Sequence, residues 1–412
     1  VVKRSYSYVV AGILALLAVG WRSSISMFYQ HLMSLYGVDS VTQVAAFIII
    51  SSGVGIFTSS AFGALYDARG PSILLAIGAL SQLTSGILVL PMRSKPWSEA
   101  MWYWYASAVA YGLVFSAVST SVNPAVISSL PSRPQLALAV VQSGSYMALT
   151  LWSPIITYLL TRTGPFYTFF TASLVTSSVT MVCAALYRGM VPPKQRSRES
   201  YTDHASRRAY LTMLVPIFLV ATSSTMLISY LAPIISEIYE SSGLPSEEAL
   251  AVYTPAVMGV SGILQTAGGF FWGLLATRVG ILKTILALYA TQAASSYAVS
   301  LLPHAYAWPA VLALLIRLFA FGGEPVAHMS IVPALFGNRR VGRLIGMQIS
   351  VVMVSSIVGP ALGGLTRDTT KTYLATVAGS ALLTTTATVF LPVVSRMLRK
   401  VSLPKVAENL VK

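Results

Sequence analysis

A chain of 412 residues with 55% hydrophobic and 9% charged side chains has too little polar surface to remain in water, where a folded domain carries about 25% charged residues. Mean hydropathy is +0.72, and at about 20 apolar residues per crossing the length has room for about a dozen membrane spans. A net charge of +15 would suggest nucleic acid in a soluble protein; in a membrane protein it first raises the question of where the basic residues fall.

Lys3 and Arg4 precede an apolar run that continues to about Leu35. A signal peptide has an apolar core of roughly 7–15 residues, so the run reads as a retained first helix. Apolar segments recur at roughly 8–35, 42–65, 72–92, 101–127, 136–160 and 165–187. Six more follow at roughly 209–235, 249–276, 281–303, 308–335, 344–366 and 372–396. Lipid cannot satisfy an exposed backbone, and the weak alternation of a barrel is absent, so these twelve segments predict an all-α membrane protein. The single cysteine, Cys183, excludes an intrachain disulfide. No Cys/His cluster has metal-ligand spacing, and neither a metal nor a cofactor is expected.

The polar stretch RGMVPPKQRSRESYTDHASRR (188–208) divides the chain into bundles at 1–187 and 209–412. Its prolines, serines and mixed charges read as a flexible linker. Basic residues crowd the termini, this loop and alternate short loops, whereas only Arg93, Lys95, Arg162, Arg367 and Lys371 fall on the opposite side. That bias places both termini in the cytoplasm, and it accounts for the net charge without nucleic acid.

The halves carry matching marks. GALYDARG (63–70) follows span two, and GLLATRVG (273–280) follows span eight. Asn123-Pro124 in span four is matched by Glu324-Pro325 in span ten, and Ser153-Pro154 in span five by Gly359-Pro360 in span eleven. The chain here resembles the major facilitator superfamily of secondary transporters. GALYDARGP is similar to that family's loop between helices two and three, with Gly63, Leu65, Asp67 and Gly70 matching and the arginine displaced to Arg69. VGPALGG (358–364) is similar to a Gly-Pro pattern of its fifth and eleventh helices. The resemblance implies a monomeric transporter of two six-helix bundles in the cell membrane, with Gly63, Asp67, Arg69 and Gly70 as a conformational latch. Gly70-Pro71, with Pro131, Arg133 and Leu136-Ala137 after span four, looks like the monocarboxylate transporter and oxalate/formate antiporter branch. That branch usually has a substrate arginine in helix eight; the equivalent place here, around Gly269, has no basic residue.

Ionisable residues inside spans are the default pointers to a transport site. They are Arg22, His31, Arg317, Glu324 and His328. Arg22 lies mid-depth in span one and Arg317 mid-depth in span ten, both of which line the central cavity in the family. From Arg317, Glu324 is seven residues on and His328 eleven, offsets that place all three on one helix face. Two arginines against one carboxylate leave one positive charge, which suits a small monocarboxylate because a guanidinium stays ionised and binds carboxylate through two hydrogen bonds. Arg22 and Arg317 are therefore expected to bind substrate, with Tyr29 and Tyr146 as weaker cavity candidates. Glu324 and His328 are expected to carry protons. The leading expectation is a secondary transporter of a small organic anion, by proton coupling or exchange. Drug or sugar transport is the alternative within the family, and a non-transporting sensor or a membrane-embedded enzyme the alternative outside it. No spaced nucleophile–base pair supports the enzyme.

Overall fold

A computed structural model describes residues 2–129, 134–190, 204–302, 306–336 and 341–398. The middle of the expected linker (191–203), the tail from residue 399, the Pro131 and Arg133 marks after span four, and the basic loop residues Arg339 and Arg340 after span ten lie outside the described residues.

Among the described residues the regular structure is all helical, with short connections and no strand, as a chain immersed in lipid requires. The first half comprises α1 (Val2–Val19), a 3-10 turn (Gly20–Ser24), α2 (Met27–Tyr36), α3 (Val41–Arg69), α4 (Pro71–Val89), a 3-10 turn (Leu90–Ser94), α5 (Trp97–Ser129) and α6 (Pro134–Leu186). The second comprises α7 (His204–Ile228), α8 (Leu231–Ser241), the single turn α9 (Ser246–Glu248), a π-helical turn (Ala249–Tyr253), α10 (Thr254–Val279), α11 (Ile281–Leu301), α12 (Ala307–Phe336), α13 (Val341–Thr370) and α14 (Tyr373–Leu398).

Ten helical stretches among the described residues are long and apolar enough to cross a membrane. One of them, Leu138–Leu186, is broken at Gly164, where φ is +75°. It therefore holds two of the twelve expected spans. The twelfth is α11, which falls short in apolarity because Lys283, Thr284, Gln292, Ser295 and Ser296 interrupt it. The first and seventh spans are each interrupted midway, by the Gly20–Ser24 turn and by the break at Ser229–Tyr230.

The two GxL…G loops close in the same manner. Gly70 (φ +77°) joins α3 to α4, and Gly280 (φ +92°) joins α10 to α11, each as a one-residue turn in a conformation that side chains disfavour. The internal repeat thus has a backbone counterpart 210 residues apart.

Within the first half α1 packs on α5 and α6, and α4 on α5 and α6; within the second α12 packs on α10 and α11, and α7 on α13 and α14. The halves meet along α3 with α13 and along α6 with α10. Close approach is set by small residues: a Cβ on Gly268 of α10 would overlap the Phe319 carbonyl of α12, and one on Gly322 of α12 would overlap the Gln265 carbonyl of α10.

Candidate substrate-binding and coupling site

The second half has a buried polar core around α12. Arg317, 1% exposed, lies 3.8 Å from the Glu324 carboxylate. Its Nη2 donates to Ser224 Oγ of α7 at 2.8 Å and to Ser223 Oγ at 3.4 Å. The Ser224 hydroxyl in turn donates to Glu324 Oε1, so the serine links the two charges. Gln292 Nε2 of α11 donates to the same Oε1 at 2.6 Å. Ser223 is held by Thr384 Oγ1 (2.7 Å) and the Ser380 carbonyl (2.8 Å) of α14. Arg317, Ser224 and Gln292 all converge on one oxygen of Glu324. The expected polar stripe of α12 therefore faces the interior of the second bundle and ties together α7, α11, α12 and α14.

His328 lies one turn further along α12, 5% exposed. Its Nε2 is 2.7 Å from the Tyr289 hydroxyl of α11, and its carbonyl accepts from Gln348 Nε2 of α13 at 3.0 Å. Tyr146 reaches from the other half: its hydroxyl donates to the Gly322 carbonyl at 3.2 Å, two residues before Glu324.

The first half is arranged differently. Arg22 sits in the 3-10 turn that interrupts the first span and is half-buried. Its Nη2 donates to Ser52 Oγ at 2.9 Å and to Ser51 Oγ at 3.2 Å, both on α3. The guanidinium lies 5.1 Å from the centre of the Phe115 ring of α5, in range of a cation–π attraction. No carboxylate pairs with Arg22 among the described residues. Each arginine thus rests on a serine doublet from a neighbouring helix, but only Arg317 has a counter-charge.

Tyr29 lies two turns beyond Arg22, fully buried, with its ring 6.1 Å from that of Tyr230 and its hydroxyl unpartnered among the described residues. Near it, Ser26 Oγ accepts from the Ala232 backbone N–H at 3.3 Å, joining the first span to the seventh. Arg22 therefore lies on the chain-terminus side of a seam between the halves.

Residues 10–360 match the family described as Major Facilitator Superfamily. The chain belongs to the major facilitator superfamily. An "MFS-type transporter" of Aspergillus fumigatus is 23% identical over 389 residues, spanning 88% of this chain and 85% of that protein. Among solved structures, a bacterial homologue of the human lysosomal transporter Spinster, in an inward-facing and occupied conformation, aligns with a TM-score of 0.63. It is 14% identical and covers 96% of each chain, a likeness of fold.

Within this major facilitator fold the expected site residues fall into three groups. Arg317, Glu324 and His328 share the core of the second bundle, with Tyr146 touching its edge. Arg22 and Tyr29 belong to the first span. Arg22 and Arg317 stand in different halves, each held by its own serine doublet. Gly63, Arg69 and Gly70 end α3 at the chain-terminus side; Arg69 is exposed, Gly70 N–H donates to the Tyr66 carbonyl at 2.8 Å, and the Asp67 side chain lies outside the described ones. The described hydrogen bond of His31 stays within its own helix, Nδ1 lying 3.1 Å from the Met27 carbonyl. Sequence reasoning missed Ser51, Ser52, Ser223, Ser224 and Gln292. The available signal was the pair of Ser-Ser doublets inside apolar runs.

Proposed function

We propose that this transporter carries a small organic anion, a monocarboxylate by preference, and that Arg22 anchors it. The family supports secondary transport by alternating access. The observation that carries the substrate class is the charge arrangement: Arg317 is neutralised by Glu324, while Arg22 sits half-buried at mid-span with hydroxyl partners and no carboxylate among the described residues. A lone guanidinium in low dielectric gains most from a single negative guest. Both serine bonds leave from Nη2, so a carboxylate approaching Nη1 meets a donor already oriented by its neighbours.

Glu324 and Arg317 form the coupling element in this reading. Protonation of Glu324 weakens its hold on Arg317, and the released guanidinium adds a second cation to the cleft when substrate is present. His328, hydrogen-bonded to Tyr289, lies one turn nearer the chain termini and offers the next proton station. The bundles 1–187 and 209–412 rock about this region, the turn containing Gly63, Asp67, Arg69 and Gly70 latches the terminus-side mouth, and both termini lie in the cytoplasm. Basic loop residues support that orientation.

Proteoliposomes test the reading. Labelled lactate is expected to accumulate, faster with a proton gradient directed inward. Arg22→Ala should abolish uptake and Arg162→Ala, an exposed residue near the opposite membrane face, should preserve it. Uptake of a hexose or an aromatic cation with no uptake of any monocarboxylate would assign the protein to the alternative substrate classes.

A further inference from the structure

The end of the molecule opposite the chain termini is closed by a contact that no transport residue explains. Asp368, in the last turn of α13, reaches across to the first turn of α3 in the other half. Its Oδ2 accepts from Thr42 Oγ1 at 2.7 Å and Ser40 Oγ at 3.0 Å, and its Oδ1 accepts from the Val41 backbone N–H at 3.3 Å. Ser40 occupies the N-cap position of α3 yet makes no cap bond of its own. The free N–H groups at a helix start need an acceptor, and the helix dipole favours negative charge there. Here the second half supplies both. The neighbouring Arg367 adds a bond from Nη1 to the Asp39 carbonyl at 3.0 Å. One turn earlier a Cβ on Gly364 would overlap Thr42, so the two helices touch closely at this mouth.

We infer that Asp368 is a clasp that holds this mouth shut, capping α3 from the opposite bundle and releasing it each time the mouth opens. The physical basis is that the cap belongs to the closed state alone. When the halves part here, α3 loses its acceptor and Asp368 exchanges three donors for water. Both side chains of the Arg367–Asp368 pair are about one-fifth exposed (22% and 23%), so water can take over as the contact breaks. The clasp then biases the resting conformation without locking it. A carboxylate at Glu237 provides an internal control. It accepts from the Tyr373 N–H at 2.6 Å and from Thr372 Oγ1, capping α14 from α8 within one bundle, where no parting of the halves is involved.

Spin labels at Leu35→Cys and Leu301→Cys, both exposed and on opposite halves near this mouth, in a Cys183→Ser background, would report its width in the full-length protein. The unmodified clasp should give a dominant short-distance population. Asp368→Ala and the milder Asp368→Asn should each raise a longer-distance population several-fold, Asp368→Ala more. Glu237→Ala should leave the distribution of the parent. Identical distributions for the parent and both Asp368 variants, or an equal shift from Glu237→Ala, would overturn the inference.

Discussion

Removing the Glu324 carboxylate should destabilise the second bundle more than almost any other single change. At 3.8 Å from Arg317, an effective dielectric of about 20 puts the attraction at about 4 kcal/mol. Glu324→Ala forfeits that term, strips Ser224 and Gln292 of their shared acceptor, and strands a guanidinium that is 1% exposed. Breaking one side of a buried pair costs about 3–5 kcal/mol. For a bundle near 200 residues this corresponds to a fall in Tm on the order of 10 °C. The double variant Arg317→Met/Glu324→Met removes both charges and should recover at least half of the loss, because apolar replacement of a whole buried pair is often neutral or better. Thermal unfolding of the purified protein in detergent, followed by tryptophan fluorescence, measures all four corners of the cycle. A Glu324→Ala protein melting with the parent, or a double variant as unstable as the sum of its singles, would refute the argument.

Glu324→Gln keeps a hydrogen-bond acceptor for Ser224 but cannot lose a proton; accumulation of lactate against its gradient should vanish while exchange across the membrane survives, as counterflow assays would show. Ser51→Ala/Ser52→Ala removes both serine partners of Arg22 and should raise KM for the anion roughly 30-fold, at about 1 kcal/mol for each of the two hydrogen bonds, with little change in folded yield. Gly322→Val should block the approach of α12 to α10 at the Gln265 carbonyl and abolish both folding and transport, whereas Gly63→Ala, with nothing near the added Cβ, should fold normally by size-exclusion chromatography.

The membrane class, the order of the spans and the internal repeat were legible because they follow from composition and from runs of apolar residues. The same logic located the Gly70 and Gly280 turns, where the loop motif demands a residue free of Cβ. Periodicity also placed Arg317, Glu324 and His328 on one face. It could not say which way that face points. In a helix apolar on nearly every side, the direction of a polar stripe is set by its partners, and those are Ser224, Gln292 and Tyr289 on other helices. The serine doublets that cradle both arginines look like ordinary small residues until the helices are packed. The expectation that one arginine is balanced by Glu324 gains a specific partner in Arg317 from the geometry. The clasp at Asp368 joins residues 326 positions apart at its Thr42 contact, a pairing with no local signature in the chain.

Equilibrium binding of a monocarboxylate to the purified transporter and its arginine variants tests the central claim most directly. Titration of lactate followed by calorimetry should give saturable binding that Arg22→Gln weakens by roughly 10- to 100-fold, the worth of a charge-assisted hydrogen bond at about 1.5–3 kcal/mol. Undiminished affinity in Arg22→Gln, in a protein that otherwise binds lactate, would show that the anion lodges elsewhere.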